Sequence, residues 1–497
     1  MQAFVQPWDY LIVTASNDAQ AAAYESQLDI RRELGLLAGV RNILVVPDPG
    51  GRRVGSGGST IHCLGEVLSR ELPPQEIADP AAWEQALRRL RVLIVHAGGD
   101  SKRLPAYGPC GKIFVPVPGE SDSAIGMTLF DRQLPTYLNL PPGTPGSGQV
   151  VITAGDVLLS FEPAEVDFSS PGMTGLGCLA PPEQAGKHGV YAANSDGVVR
   201  TFLQKPSPEE QHQQDAVDRY GQAILDIGVI HFDAPTAIRL MQCFAMKADD
   251  GSLHWTGEMG RAIDESGLDF YREICCAMGI EATSAHHIAS ARGSGSGWSD
   301  ALLGRLFESL NSVCFQVQVL PRCGFLHFGT TRQIITSGRD LLRLDRGASQ
   351  LEACLSINND VPDEDDLLRG TQAWVEGCLV RAPLTLTGRN VVAGADIEEP
   401  ITLPQGACLD VLEGHDRRGN RVWFVRCYGV GDSFKTTADQ GATLCDMPLA
   451  AWLEEVGATP EEVWDPQIPA DQRTVWDAKV FPAEPAADGF ARWLWVY

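Results

Sequence analysis

The first 240 residues alternate short apolar runs with longer stretches that have helical spacing. Continuous apolar runs are typical of buried strands, whereas apolar residues three and four positions apart indicate helices. Strands separated by helices predict a mainly parallel α/β sheet with helices on both faces, whose ligands bind beyond the carboxyl ends of the strands. The predicted strands span residues 10–14, 42–47, 91–95 and 149–154, and the predicted helices span residues 19–36, capped by Asn17 or Asp18, and 81–90.

A different apolar pattern begins near residue 374. Apolar residues recur every six positions and continue at that spacing after a slip of one residue, with small or turn residues between them. This repeat predicts a short parallel β-helix, in which each coil buries the apolar edge of its neighbour; ordinary antiparallel strands are the alternative. The repeating residues are Trp374, Val380, Leu386, Val392, Ile397, Leu403 and Leu409.

Composition narrows the class of protein. A chain of 497 residues predicts two or three domains, and 44% apolar residues with 21% charged residues are typical of a globular protein. The net charge of −25 argues against a nucleic-acid partner, because broad phosphate binding needs a basic surface. The sequence has no apolar run long enough to cross a membrane and no signal peptide, so we expect no membrane partner. Thirteen scattered cysteines without a CxxC pair predict reduced thiols in the cytoplasm.

A glycine turn with nearby cations follows the predicted strand at residues 91–95. Gly98 and Gly99 come first, and Ser101, Arg103 and Lys112 follow. Paired glycines let backbone N–H groups approach an anion, and cations neutralise its charge. The chain has only seven lysines, and two of them lie in this short segment. We therefore predict a site for a nucleoside triphosphate; the alternative is an ordinary connection with incidental surface charge.

Joining a sugar 1-phosphate to a nucleoside triphosphate needs further charged groups, because both substrates are anions. Asp156 follows the predicted strand at 149–154 and is the candidate Mg²⁺ ligand, although a strand-end Asp is often a turn residue or a helix cap. Lys205 ends another strand-like run and is the candidate second cation. Lys187 and His188 lie on a glycine-bearing loop and are candidates for contacting the sugar or its phosphate, with a solvent-facing hairpin as the alternative.

A second glycine loop contains Gly57 and Gly58, between a predicted strand and a helix. This context fits a cradle for a phosphate or a base. The loop is not a Walker A motif, because no lysine follows its last glycine. We predict that it contacts the nucleotide; a tight structural turn is the alternative.

Several stretches together resemble the L-fucose-1-phosphate guanylyltransferases, also called GDP-fucose pyrophosphorylases, including the N-terminal half of bifunctional fucokinase/GDP-fucose pyrophosphorylases. The resemblance covers nearly the whole chain and implies a GT-A/Rossmann-like nucleotidyltransferase domain followed by a short parallel, left-handed β-helix. The stretches are HAGGDSKRLPAYGPCGK, PDPGGRRVGSGGST, AILDIGVIHFD, DFYREICCAMG, FLHFGTTRQ, YGVGDSFK and RTVWDAKVFP.

The resemblance also implies a reaction. GTP and L-fucose 1-phosphate would give GDP-L-fucose and pyrophosphate with Mg²⁺ as cofactor, in a catalytic domain over residues 1–345 that precedes a β-helix domain with a C-terminal packing segment over 346–497. The residues that it marks as functional are those of the Gly98–Lys112 segment named above and, less directly, Asp156 and Lys205. Asp100 departs from the wider superfamily by placing a negative charge in the loop, so its side chain must point away or bind metal.

Three alternatives remain open from the residues. The first is a nucleotidyltransferase for another sugar 1-phosphate or another base, since no base-reading rule is visible. The second is a sugar kinase, against which the missing kinase glycine–serine loop argues. The third is a non-catalytic sugar-nucleotide sensor, which loss of Arg103, Lys112 or Asp156 would have favoured. The chain is either a stand-alone transferase or part of a longer protein fused to a fucokinase half.

Overall fold

A computed structural model describes residues 6–119, 121, 123–249, 251–346 and 355–497. By packing, the chain divides into two compact units, each assembled from separate stretches of sequence. Unit 1 comprises Met1–Gly99, Gln133–Gly155 and Leu159–Phe325, and unit 2 comprises Asp100–Arg132, Asp156–Leu158 and Leu326–Tyr497. The boundary expected at residues 345/346 stays a prediction.

Unit 1 is built on one nine-stranded mixed sheet. Strands β1 to β4 confirm the four strands predicted from the sequence, and they lie in the order β4-β3-β1-β2 with all neighbours parallel. The strands up to residue 327 are β1 (Trp8–Ala15), β2 (Val40–Pro47), β3 (Arg91–His96), β4 (Gln149–Ala154), β5 (Val157–Ser160), β6 (Met173–Ala180), β7 (Gly189–Ala193), β8 (Val199–Gln204), β9 (Ala223–Phe232), β10 (Lys247–Asp249), β11 (Ser252–His254), β12 (Phe315–Val319) and β13 (Gly324–His327).

The other part of this sheet is not parallel. Strand β9 runs antiparallel to both β4 and β6, and the β7–β8 hairpin joins it, again antiparallel. An apolar run shows that a strand is buried but does not show its direction, because direction depends on partners far away in the sequence. The prediction of a mainly parallel sheet therefore holds for β1–β4 and for the β12–β6 pair only.

The capping prediction for the first helix is confirmed. The Asn17 side chain accepts a hydrogen bond from the Gln20 N–H and begins α1, which ends at Glu33 rather than residue 36. The helices are α1 (Asp18–Glu33), α2 (Gly55–Glu71), α3 (Pro80–Leu87), α4 (Leu129–Leu138), α5 (Pro182–Ala185), α6 (Pro208–Gln213), α7 (Ala234–Gln242), α8 (Gly257–Ser266), α9 (Ser284–Gly293), α10 (Asp300–Leu310), α11 (Thr331–Arg346), α12 (Glu364–Leu367), α13 (Leu449–Val456) and α14 (Pro460–Val463).

Unit 2 contains short strands that stack in parallel on three sides. Trp374 pairs with Val391, and Val391 pairs with Cys408, so each coil advances the chain by 17 residues. These strands, together with the closing antiparallel strands, are β14 (Leu355–Ile357), β15 (Leu368–Gly370), β16 (Trp374–Glu376), β17 (Leu379–Val380), β18 (Leu384–Leu386), β19 (Val391–Ala393), β20 (Asp396–Ile397), β21 (Ile401–Leu403), β22 (Ala407–His415), β23 (Arg421–Gly429), β24 (Thr443–Leu444), β25 (Met447–Pro448) and β26 (Ala483–Glu484). We call residues 355–415 the strand stack.

The apolar repeat forms the interior of the strand stack, with one exception. Val380, Val392 and Leu409 and their counterparts in the repeat lie in one buried cluster. Trp374 is equally buried but belongs to a separate cluster, and its neighbour Val375 occupies the interior position instead. Because adjacent residues of a strand face opposite sides, a spacing counted from Trp374 starts one residue too early.

The outward-facing Trp374 packs beside residues 100–112, which we call the Lys112 loop. Its indole Nε1 donates a hydrogen bond of 2.7 Å to the Tyr107 hydroxyl. The Arg426 guanidinium pairs with buried Asp410 and donates a 3.0 Å hydrogen bond to the Pro105 carbonyl. The Lys112 loop therefore lies in the same buried cluster as the outward-facing residues of the strand stack, such as Trp374 and Val391.

The structure also bears on membrane-spanning helices and on the state of the cysteines. Within the described ranges, no helix combines the length and apolar character needed to cross a bilayer. The cysteines of the described residues are free thiols, as expected from their scattered positions.

Candidate active site

The centre of the candidate site in unit 2 is the carboxylate of Asp156, which two nitrogen atoms approach. Lys112 Nζ lies 3.3 Å from Asp156 Oδ2, and His327 Nε2 lies 3.4 Å from the same oxygen. Asp156 comes directly before β5, Lys112 begins a short 3₁₀ turn after Gly111, and His327 ends β13. The fold thus brings together two residues that the sequence predicted and one that it did not.

The electrostatics of this cluster favour charged Asp156. Burial alone would raise the pKa of Asp156, but the hydrogen bond from His327 and the nearby Lys112 charge hold that pKa well below its usual value. The Lys112 and His327 side chains keep 18% and 21% of their surface exposed, so both can be reached from solvent. The cluster is a partly exposed ion pair of unit 2.

Ser101 and Arg103 lie in the Lys112 loop, where the backbone is held tightly. Ser101 is buried and has a φ of 55°, a left-handed conformation that is costly for a residue other than glycine. The Arg103 side chain is exposed, and its carbonyl accepts a 2.9 Å hydrogen bond from the Thr331 N–H. Asp100 lies 3.7 Å from Lys102 Nζ, an ion pair that balances the negative charge in this loop.

The Gly98–Gly99 turn belongs to unit 1 and is anchored by β1 and α1. The Gly98 N–H donates to Thr14 Oγ1 at 3.2 Å, and Gln20 Nε2 donates to the Gly99 carbonyl at 3.2 Å. Gly99 has a φ of 137°, which L-residues rarely adopt. A Cβ there would lie 3.6 Å from an Arg53 guanidinium nitrogen, so an arginine that the sequence analysis had not singled out borders the turn.

The second glycine loop forms the first turn of α2 and packs against Leu268. The N–H groups of Gly57 and Gly58 both donate to the Leu268 carbonyl, at 2.8 and 3.2 Å. A Cβ on Gly57 would come within 2.8 Å of the Leu268 side chain, and a Cβ on Gly58 within 2.9 Å of Val54. Close packing thus accounts for both glycines, and their contact with a nucleotide stays a prediction.

Three predicted residues meet at one end of the β7–β8 hairpin in unit 1. The Lys205 N–H donates to the His188 carbonyl at 2.9 Å, and Lys187 precedes His188 in the chain. Lys205 has a φ of 51°, a second strained backbone among the candidates. The His188 ring contacts Phe325 edge-on, with centroids 4.9 Å apart. The end of the hairpin therefore brings the backbones of these three residues together, and their contact with a sugar phosphate stays a prediction.

A family model described as "Fucose pyrophosphorylase domain" matches residues 84–486. The chain belongs to the fucose pyrophosphorylase family. This confirms the resemblance drawn from the sequence motifs, and the matched range includes the Lys112 loop, Asp156, His327 and the strand stack.

Named relatives agree with the fucose pyrophosphorylase assignment. The chain is 26% identical over 519 residues to the "Bifunctional fucokinase/GDP-fucose pyrophosphorylase" of Arabidopsis thaliana, covering 96% of this chain and 47% of that protein. It is 24% identical to the "L-fucokinase/L-fucose-1-P guanylyltransferase" of Bacteroides fragilis, covering 82% and 40%. It is 27% identical to the "Fucose-1-phosphate guanylyltransferase" of Mus musculus, covering 96% and 83%. The chain thus spans about half the length of the bifunctional relatives.

The residues around Asp156 do not by themselves form a Mg²⁺ site. Mg²⁺ prefers several oxygen ligands, whereas Asp156 Oδ2 is shared by two nitrogens. Among the described residues, no group of three or more His, Cys, Asp or Glu side chains could hold a metal ion.

Sequence reasoning missed His327 and Asp226. His327 lies in FLHFGTTRQ, one of the stretches that carried the resemblance. The signal that could have identified it is a polar residue within a short apolar run, two positions before a glycine. Asp226 is buried inside β9, where Tyr191 donates a 2.8 Å hydrogen bond to it. Burial raises the pKa of Asp226 to about 7, although hydrogen bonds from Tyr191 and Gly228 oppose that shift. An isolated Asp in an apolar run was its only signal.

Proposed function

We propose that this chain transfers a guanylyl group from GTP to L-fucose 1-phosphate and releases GDP-L-fucose and pyrophosphate. The observation that carries the proposal is the Lys112–Asp156 pair, because it places a cation from the motif segment of the fucose pyrophosphorylase family on a partly exposed surface. The names of the relatives from Mus musculus and Homo sapiens support the choice of substrates.

The chemistry is an in-line displacement at phosphorus. A phosphate oxygen of L-fucose 1-phosphate forms a bond to the α-phosphorus of GTP, while the bond to the bridging oxygen breaks and its electron pair leaves with pyrophosphate. Negative charge builds on the oxygens around phosphorus, so positioned cations lower the barrier. In this proposal Gly98, Gly99, Ser101, Arg103 and Lys112 serve the triphosphate.

The β7–β8 hairpin is the proposed site for the sugar phosphate. Lys187, His188 and Lys205 meet there, and two cations suit a phosphate monoester dianion. We propose that Mg²⁺ enters as a complex with GTP, coordinated by phosphate oxygens, because Mg²⁺ is held mainly by substrate phosphates in many such sites. We also propose that the loop containing Gly57 and Gly58 contacts the nucleotide.

The finer fold assignment belongs to the same proposal. We propose a GT-A/Rossmann-like sheet for the parallel part β1–β4 and a left-handed β-helix for the strand stack. The crossover helices between parallel strands support the first, and the 17-residue advance from Trp374 to Val391 and from Val391 to Cys408 supports the second. A cytoplasmic location, expected from the free thiols, stays a prediction.

The test is product formation by the purified full-length chain. GTP, β-L-fucose 1-phosphate and Mg²⁺ should yield GDP-L-fucose and pyrophosphate in equal amounts, measured by chromatography with mass detection and by a coupled pyrophosphate assay. Other sugar 1-phosphates and UTP, ATP and CTP in the same assay test substrate choice. Turnover with a different pair only would assign another nucleotidyltransferase activity, and binding without turnover would favour the sensor alternative.

Lys112→Ala is the internal control for this assay. Removing a charge-stabilising donor should lower kcat on the order of 100- to 1,000-fold while the chain stays folded, because the side chain is partly exposed. Near-normal kcat at saturating GTP would show that Lys112 does not contact the reacting phosphates.

A further inference from the structure

His327 is fixed on Asp156 through its main chain as well as its ring. The Phe328 N–H donates to the Asp156 carbonyl at 2.8 Å, and the Ser337 hydroxyl donates to the His327 carbonyl at 2.6 Å. Two residues after Gly329, the Thr331 N–H donates to the Arg103 carbonyl. One short turn, residues 327–331, therefore holds both Asp156 and the Lys112 loop.

The ring orientation follows from what each group can donate. A carboxylate only accepts hydrogen bonds, so the approach of His327 Nε2 to Asp156 Oδ2 at 3.4 Å requires a hydrogen on that nitrogen. Lys112 reaches the same oxygen from another element. Asp156 Oδ2 is therefore shared by His327 and Lys112.

Gly329 leaves the space that the ring occupies. A Cβ at residue 329 would lie 2.4 Å from His327 Cε1 and 2.5 Å from its Nε2, and 3.2 Å from Asp156 Oδ2. These separations are shorter than van der Waals contact, so a side chain there requires the His327 ring or the backbone to shift. The position of the His327 ring therefore requires a glycine at residue 329.

We propose that His327 is a positioning residue, which holds Asp156 and, through it, the Lys112 ammonium in place for the phosphate groups of the substrates. The inference rests on the proposed guanylyl transfer. A lysine side chain has many rotamers, and pairing with a fixed carboxylate restricts where its ammonium group lies. His327 itself need not touch a substrate.

Steady-state kinetics of the full-length chain test this role. His327→Ala should lower kcat by about 100-fold, because misplacing a catalytic group by about 1 Å has an effect of that size, while KM for L-fucose 1-phosphate changes little. His327→Gln keeps an N–H donor near the Nε2 position and should restore most of the rate. In the Lys112→Ala background, His327→Ala should cause little further loss, since both act through one group.

Gly329→Ala tests the same contact without removing the histidine. We expect it to reproduce the kinetic loss of His327→Ala with a normal unfolding transition. Gly293→Ala is the matched control, because a Cβ at this end of α9 meets no atom within 4 Å. A His327→Ala enzyme with wild-type kcat, or an additive double variant, would overturn the proposal.

A second measurement does not depend on turnover. Reductive methylation with ¹³C-formaldehyde labels the seven lysines, and loss of one NMR signal in Lys112→Arg identifies Lys112. His327→Ala and Gly329→Ala should move this signal, and His327→Gln should move it less. An unmoved signal in the first two variants would refute the positioning role even if the wild-type chain makes no GDP-L-fucose, which would refute the proposed function instead.

Discussion

At the scale of single residues, the Asp156 carboxylate has two candidate roles that predict different kinetics. Asp156→Asn keeps the shape of the side chain but removes the charge that holds Lys112 at 3.3 Å. We expect kcat to fall on the order of 100-fold, with no change in the Mg²⁺ concentration that gives half-maximal rate, because the metal arrives with GTP. Initial rates across a Mg²⁺ titration at fixed GTP measure both quantities. A shifted Mg²⁺ midpoint would make Asp156 a metal ligand, as the sequence predicted.

Asp226 should make the stability of unit 1 depend on pH. Its pKa is raised to about 7 by burial, so between about pH 4 and pH 7 the folded chain binds a proton that the unfolded chain has released. Stability should therefore fall as pH rises through this range, by about 1.4 kcal/mol per pH unit from this group alone, and level off above pH 7.

The Asp226→Asn variant isolates that contribution. The free energy of unfolding of the wild type, measured by urea titration at several pH values, should decline relative to the variant between pH 4 and 7. Parallel stability curves for the two chains would show that Asp226 has an ordinary pKa in the folded state.

Individual site residues were partly predictable. Asp156 and Lys112 could be proposed because each follows a strand or a glycine turn, and the structure does pair them across 44 positions of sequence. That His327 completes the cluster depends on where β13 lies in the fold, which no local pattern encodes. For Gly57 and Gly58 the local motif was present but suggested a different role from the contact in the structure. The motif looks like a phosphate loop, whereas the N–H groups of both glycines donate to the Leu268 carbonyl.

At the scale of elements, the strand stack depends on aliphatic side chains in register. Val392 is fully buried and pairs with Val375 on one coil and Leu409 on the next. Val392→Asp would place an unpaired charge among them and should lower the free energy of unfolding by about 4 kcal/mol or cause aggregation. Arg389→Ala, on an exposed turn of the same coil, should leave stability and kcat nearly unchanged. Thermal unfolding of both variants measures this, and a stable Val392→Asp chain would contradict the stacked-coil interior.

The elements themselves were more predictable than their arrangement. Strands β1–β4 were recognised within one or two residues because buried strands are continuous apolar runs. The sequence did not predict that β9 runs antiparallel, since strand direction depends on partners far away in the chain. It also did not predict that Trp374 faces outward, since either Trp374 or its neighbour Val375 could have faced the interior. A period fixes spacing along the chain but not which of two neighbours faces inward.

At the scale of the whole molecule, the compact units do not follow the order of the sequence. The Lys112 loop follows β3 in the chain, yet its apolar residues Leu104 and Tyr107 are buried in unit 2 with Trp374 and Tyr428. The strand stack therefore supports the loop that carries Lys112. Sequence order could not reveal this, because nothing in the loop marks its partner.

A shortened chain of residues 1–345 tests whether that support is needed. It lacks Trp374 and Arg426, whose side chains bind Tyr107 and Pro105 of the Lys112 loop. Exposure of the apolar side of this loop should make the fragment aggregate or fail to bind GTP, as measured by size-exclusion chromatography and calorimetry with GTP. Tyr107→Phe in the full-length chain is the control, since it removes only the hydroxyl contacts and should cost about 1 kcal/mol while the chain still folds. A monomeric 1–345 fragment with full turnover would instead establish a catalytic domain that ends at the boundary predicted from the sequence. It would also show that the strand stack is not needed to hold the Lys112 loop.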